Sequence, residues 1–294
     1  MIAIDDDERK FLELAQEFGE KTVRDRVVIW RIQDPAARFS SNQKLLVLGQ
    51  IRKITTLIYG FDTAKFWEGR PNWFDEIDAF WVVESSGRFA GWCSGKLWNW
   101  KPCNILYIDN LNLLGSALGL RFRRLAQSLV IDIWVNACLR GKSICVMAFR
   151  SQTPASYRLV LDLSPRCTYP NPSVLRLGAE KEASGFAKEV ARRLGPEKVF
   201  DPEKFVLKRA HSSALAVPVS YRGTGDPVID GYFKNNMDVS SGDALIGIFL
   251  PDRVEILRAV LSYPVFYFLL RFNLYASRKA GRRRTSPNKR RRVK

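Results

Sequence analysis

Apolar positions along the chain change period several times, and each change predicts an element. Residues 5–20 place Phe11, Leu14, Ala15 and Phe18 at helical spacing and stop at Gly19, which predicts an N-terminal helix. Val27–Ile32 is a short β-rich run broken by Asp34-Pro35, and Asn42–Tyr59 reads as a helix with Leu45, Leu46, Leu48 and Ile51 along one side. A loop rich in Gly, Pro and Asn spans Gly60–Asn72. Ala79–Glu84 and Phe89–Trp100, joined by Ser85-Ser86-Gly87-Arg88, form a hairpin pattern, and Ile105–Leu114 is a third strand.

After a glycine-containing loop at 115–120, Arg121–Arg140 carries the strongest helical pattern, from Phe122 through Leu125, Leu129 and Ile133 to Ala137, with Gly141 as the stop. Ser143–Phe149 is a buried strand, and Thr153-Pro154 opens a helix that runs to about Leu163. Further on, Ala183–Leu194 is an amphipathic helix, while Lys204–Arg209 and Ala244–Leu250 are late strands. Strands alternating with helices define an α/β chain.

Charge is distributed unevenly. The net charge is +17, but residues 276–294 hold ten basic residues and no acidic one, leaving +7 for everything before them. Such a tail repels itself and is expected to be disordered. Its readings are a solvated end, contact with nucleic acid or an anionic membrane, or a nuclear-import signal carried by PNKRRRVK.

A single histidine, His211, set in a Ser/Ala run, excludes a Ser-His-Asp machine with an evident partner and any His-rich metal centre. The five cysteines form no C-x-x-C pair. Their odd number and scatter suit reduced thiols and a cytoplasmic setting. The acidic, polar residues 1–10 do not read as a secretory signal, and the apolar run Ala259–Leu270, interrupted by Pro264, is short for a membrane span.

The order of hairpin, third strand, glycine loop, amphipathic helix, buried strand and proline-started helix resembles the GCN5-related N-acetyltransferase (GNAT) superfamily from about residue 24 to residue 250. That family opens its central helix with Arg/Gln-x-x-Gly-x-Gly/Ala. Here the stretch is Arg121-Phe122-Arg123-Arg124-Leu125-Ala126, in which Arg121 and Ala126 fit and Arg124 stands at the glycine position. The resemblance implies a GNAT-like mixed sheet flanked by helices. It divides the chain into an N-terminal helix (1–23), an acyl-CoA-binding core (24–165), a C-terminal extension that completes the fold (166–275) and the basic tail (276–294). It also implies an acyltransferase that uses acetyl-CoA or another acyl-CoA, with a small-molecule or protein amine as acceptor.

The chemistry of that helix start can be argued independently. Unpaired N–H groups and the helix dipole favour a pyrophosphate, and Arg121, Arg123 and Arg124 add three guanidinium groups. The resemblance further implies that a main-chain N–H near Leu113 holds the thioester oxygen and that Tyr157 protonates the departing thiolate. Asp109, in the third strand, and Glu84, at the end of the first, are candidate bases, or else charges at strand edges. Trp81, Trp92, Trp98 and Trp100 read as core or as the wall of an acceptor pocket. Arg222-Gly223-Thr224-Gly225-Asp226 lacks the rest of a phosphate-loop motif and reads as a turn. Residues 166–275 exceed what the last two strands need, which suggests an acceptor-side lid or a homodimer surface. Because Arg124 replaces glycine, a non-catalytic binding protein on the same scaffold is the alternative.

Overall fold

The structure is a computed structural model that describes residues 5–24, 26–101, 103–119, 122–173, 177–195, 197–211 and 223–262. Arg121, Arg222, residues 263–270 of the apolar run and the tail 276–294 lie outside the described residues.

The chain opens with α1 (Asp6–Phe18), whose first turn is capped by the Asp5 carboxylate accepting the Glu8 N–H at 2.7 Å. Strands β1 (Glu20–Arg24) and β2 (Val27–Gln33) follow as an antiparallel pair. Next come α2 (Pro35–Arg38) and α3 (Ser41–Tyr59), the latter entered through a Ser40/Gln43 capping box and left through left-handed Gly60. The expected loop after it carries two short helices, α4 (Ala64–Glu68) and α5 (Trp73–Glu76).

Strands β3 (Ala79–Ser85) and β4 (Arg88–Trp98) turn at Ser86-Gly87, both at positive φ, as a two-residue hairpin requires. Then come β5 (Ile105–Leu113), a short α6 (Gly115–Leu118), the long α7 (Phe122–Gly141), β6 (Val146–Ser151) and α8 (Pro154–Leu161). The C-terminal part supplies β7 (Thr168–Tyr169), α9 (Leu177–Leu194), β8 (Phe200–Asp201), β9 (Val206–Leu207), α10 (Pro227–Asn236), β10 (Ala244–Phe249) and α11 (Arg253–Ser262).

Among the described residues, ten strands join one mixed sheet in the order β1-β2-β3-β4-β5-β6-β10-β9-β8, with β7 also on β10. Only β5 and β6 pair in parallel; the other pairs are antiparallel. This is the expected α/β arrangement, a mixed sheet flanked by helices. Helices α1, α3, α4 and α5 cover one face over a core of Phe11, Trp30, Ile51, Trp73, Phe80 and Trp92. Helix α7 covers the other face over Trp81, Cys93, Leu125, Leu129 and Ile133.

Some elements differ from the expectation. Strand β1 follows directly on the N-terminal helix and was missed because four of its five residues are exposed and carry no apolar alternation. The expected strand 204–209 contracts to Val206–Leu207. The hairpin tryptophans Trp81 and Trp92 are buried on opposite faces, as the core reading requires, whereas Trp98 and Trp100 are partly buried.

Candidate active site

Parallel pairing between β5 and β6 covers only Ile105–Ile108 against Val146–Phe149. Beyond Ile108, β5 stays with β4, while β6 is held on its far edge by β10 through Ser151. The two strands therefore part in the middle of the sheet. A bulge lies at that point: Ser94 faces Asn110 and Gly95 faces Ile108, so Asp109 is the additional residue. Past the bulge the Leu114 N–H donates to the Ala90 carbonyl at 2.8 Å. Main-chain groups alternate in direction along a strand, so those of Leu113 turn away from β4, toward the gap.

Helix α7 begins nine residues after β5 ends. Its first turn has N–H groups with no acceptor inside the helix. Leu125 and Ala126 are each 1% exposed and lie past the N–H groups that the helix leaves open, and Phe122 is half-buried against the core. Of the guanidinium groups expected here, that of Arg123 is ion-paired with Asp162 at the end of α8, and Arg124 is exposed.

Two catalytic assignments change. Asp109 is not available as a base. Its side chain is 2% exposed and accepts from Arg70 at 3.1 Å, from Trp73 Nε1 at 3.1 Å and from Asn110 Nδ2 at 2.6 Å. Burial pushes its pKa up, but Arg70, Lys96, Arg150 and the Trp73 bond outweigh that and hold the carboxyl below the ordinary value. Tyr157 is not at the gap. Its ring packs between Phe149 and Phe233, its hydroxyl donates to the Pro170 carbonyl, and burial lifts the phenol well above its usual pKa. Glu84 accepts Trp30 Nε1 at 2.9 Å near the β3–β4 turn, away from the parting strands.

On the face of the sheet that carries α4 and α5, the sequence reading missed a cluster. Lys96 and Tyr107 are cross-strand neighbours there, and Tyr107 stacks on Trp98 with centroids 4.9 Å apart. Arg70 enters from the loop between α4 and α5, Arg150 from β6 one residue past its last pair with β5, and Lys198 and His211 from the segments flanking β8 and β9. Burial, followed by the charges of Arg150, Lys198 and Arg70, pushes the His211 imidazole down to about 2. Burial lifts the Tyr107 phenol to about 12, with Arg150 acting against it and Asp109 with it. The Tyr107 hydroxyl is buried and has no hydrogen-bond partner among the described residues. No local pattern could connect these residues. Apart from Lys96 and Trp98, both on β4, each comes from a different element or loop, and only Trp98 and the lone histidine stand out in the sequence.

The sequence matches no family profile and no curated protein. Among solved structures, it is similar to Arabidopsis thaliana Naa50 bound to a bisubstrate analogue at 9% identity, covering 75% of this chain and 97% of that one with a TM-score of 0.33. It is also similar to the diaminobutyrate acetyltransferase EctA of Paenibacillus lautus (17% identity, 46% and 73% of the two chains, TM-score 0.30). A third is the ribosomal-protein-alanine N-acetyltransferase of Brucella melitensis (12%, 69% and 94%, TM-score 0.28).

Proposed function

We propose that this protein is an acyltransferase that moves an acetyl or other acyl group from an acyl-CoA to an amine by direct attack. One observation carries the reading: β5 and β6 part after four parallel pairs, and a helix start follows nine residues after β5 ends. An acyl-CoA suits that arrangement. Its pyrophosphate would meet the first turn of α7, using main-chain groups of Phe122, Arg123 and Arg124 and the guanidinium of Arg124. Its thioester would lie in the gap, with the carbonyl oxygen on the Leu113 N–H.

The amine nitrogen attacks the thioester carbon. A C–N bond forms, the C–S bond breaks, and the thiolate takes up a proton equivalent to the one the amine gives up. A donor already aimed at the developing oxyanion stabilises that transition state by roughly 3 kcal/mol.

The test is thermal unfolding of the full chain with acetyl-CoA. A ligand at 100 times its Kd adds about 2.7 kcal/mol to the native state, which is a rise of several degrees in Tm. Absence of any rise with acetyl-CoA and with a panel of longer acyl-CoAs overturns the reading.

The Arg123–Asp162 pair and Arg124 at the glycine position favour a second reading, a binding protein without catalysis. Arg124→Gly separates the two. It weakens acyl-CoA binding if Arg124 is a ligand, and creates binding if the original has none.

A further inference from the structure

Beside the parting of β5 and β6, on the face that carries Tyr107, positive charge exceeds what the protein neutralises. Asp109 answers Arg70 at 3.1 Å, and Glu76 answers Lys96 at 2.9 Å. Among the described residues Arg150 and Lys198 have no carboxylate at ion-pair distance. Instead, Arg150 Nη1 and Lys198 Nζ both donate to the Ala210 carbonyl, each at 3.1 Å. The two cationic nitrogens are thus no further apart than two such bonds allow, both side chains are half-buried, and like charges held so close repel. A guanidinium has five N–H donors and an ammonium three, and one of each is directed at Ala210. The neighbouring Tyr107 hydroxyl is buried with no hydrogen-bond partner among the described residues, although nearly all buried polar atoms have one.

An oxyanion resolves all three features at once. It neutralises two crowded cations, accepts their remaining donors and accepts from the phenol. We propose that Arg150, Lys198 and Tyr107 form a subsite for an oxyanion carried by the acceptor, which makes the acceptor an acidic amine such as an amino acid. The word acceptor rests on the acyl-transfer reading; the oxyanion subsite does not. The placement suits the chemistry, because Arg150 sits on β6 one residue past the last pair with β5, where the gap begins. Asp109 occupies Arg70, and this leaves Arg150 and Lys198 to read the charge.

His211 supplies a local reporter. It is the only histidine in the chain, so its imidazole proton resonances need no assignment, and the charges of Arg150 and Lys198 act on it directly. Succinate and, separately, inorganic phosphate are titrated into the untagged full chain while these resonances are followed. The expected result is a saturable shift at millimolar concentration, weakened at least tenfold in Arg150→Gln and Lys198→Met and severalfold in Tyr107→Phe. Tighter binding of succinate marks the acid as a carboxylate, and tighter binding of phosphate marks it as a phosphate ester. Anion bound elsewhere on this basic chain leaves the signal unmoved.

Without ligand, Lys198→Met is expected to melt no lower than the parent, because a repelling charge has gone. A markedly lower Tm gives Lys198 a structural role and overturns the proposal, as does the lack of a saturable shift in the parent. Stabilisation by acyl-CoA without a His211 response sinks the subsite alone. A His211 response without any acyl-CoA binding sinks the acyl-transfer reading and leaves an oxyanion site.

Discussion

The two faces of the sheet beside the β5–β6 gap are built on opposite terms. On the side of α7 and α8, next to the gap, two aromatic polar groups are closed off: Trp134 Nε1 donates to the Cys145 carbonyl at 2.8 Å, and the Tyr157 hydroxyl donates to that of Pro170. On the side of α4 and α5, Tyr107, Trp67 and Trp92 bury polar atoms with no partner among the described residues, and the charges of Arg150 and Arg70 act on Tyr107. Buried polar groups left open cost stability, and proteins tolerate that cost mainly where something must bind. Under the proposed function, the closed face supports the strands that flank the gap, and the open face is where an acceptor would be read.

The harshest way to break this contrast is to disturb the strand both faces share. A Cβ on Gly91 would lie 2.5 Å from the Asn112 carbonyl oxygen and 2.8 Å from Leu113 Cα, at a φ of +156° that other residues rarely adopt. Gly91→Ala is expected to lower stability by about 3 kcal/mol, read as a shift in the urea midpoint. Any folded fraction should also bind acyl-CoA more weakly, since Leu113 is displaced.

Arg70→Met tests the open face almost as severely. It leaves the Asp109 carboxylate buried without its cation, at a cost of about 3 kcal/mol at pH 7. The sign of its pH dependence is diagnostic. In the parent, the folded-state pKa of Asp109 is depressed, so its contribution is present above the unfolded value of 3.8 and is lost as pH falls through the folded one. Without Arg70, burial prevails and raises the folded-state pKa. The variant's deficit should therefore shrink between pH 7 and pH 5, and a constant deficit would mean that the pair is only packing.

These residues also show what could be read from the chain in advance. The β3–β4 hairpin, β5 and α7 were legible because apolar periodicity and turn residues are local signals. The start of α7 was legible as a helix start for the same reason. The open face was not. Arg70 and Asp109 are 39 residues apart, and Arg150 and Ala210 are 60 apart, so only the sheet order brings them together. Tyr157 misled for a related reason: its position in the chain suggested the gap, but the side chain points toward Pro170 through packing that no short motif encodes.

Two smaller effects sharpen the comparison. Tyr157→Phe on the closed face removes one buried hydrogen bond and should cost about 1–2 kcal/mol in chemical denaturation. Under the proposed function it should leave kcat for acyl transfer within twofold, and a collapse of kcat would restore Tyr157 as the acid. His211 binds fewer protons folded than unfolded, because its folded-state pKa is about 2 against an ordinary 6.5. Stability should fall as pH drops below 6.5, with a slope approaching about 1.4 kcal/mol per pH unit, and His211→Asn should flatten that limb.

The place of β10 in the sheet bears on how the protein can be made. The strand lies between β6 and β9 and pairs with β6 over Met147–Ser151, yet it is the last strand among the described residues. During synthesis, β6 therefore leaves the ribosome roughly a hundred residues before its neighbour exists, at a typical 5–20 residues per second. For those seconds the apolar edge Val146–Phe149 is a template for any other extended chain. A nascent chain stopped near residue 240 should associate with chaperones or aggregate, while one extended through Phe249 closes its own edge. Premature termination is thus more damaging to this protein than the loss of six residues would suggest.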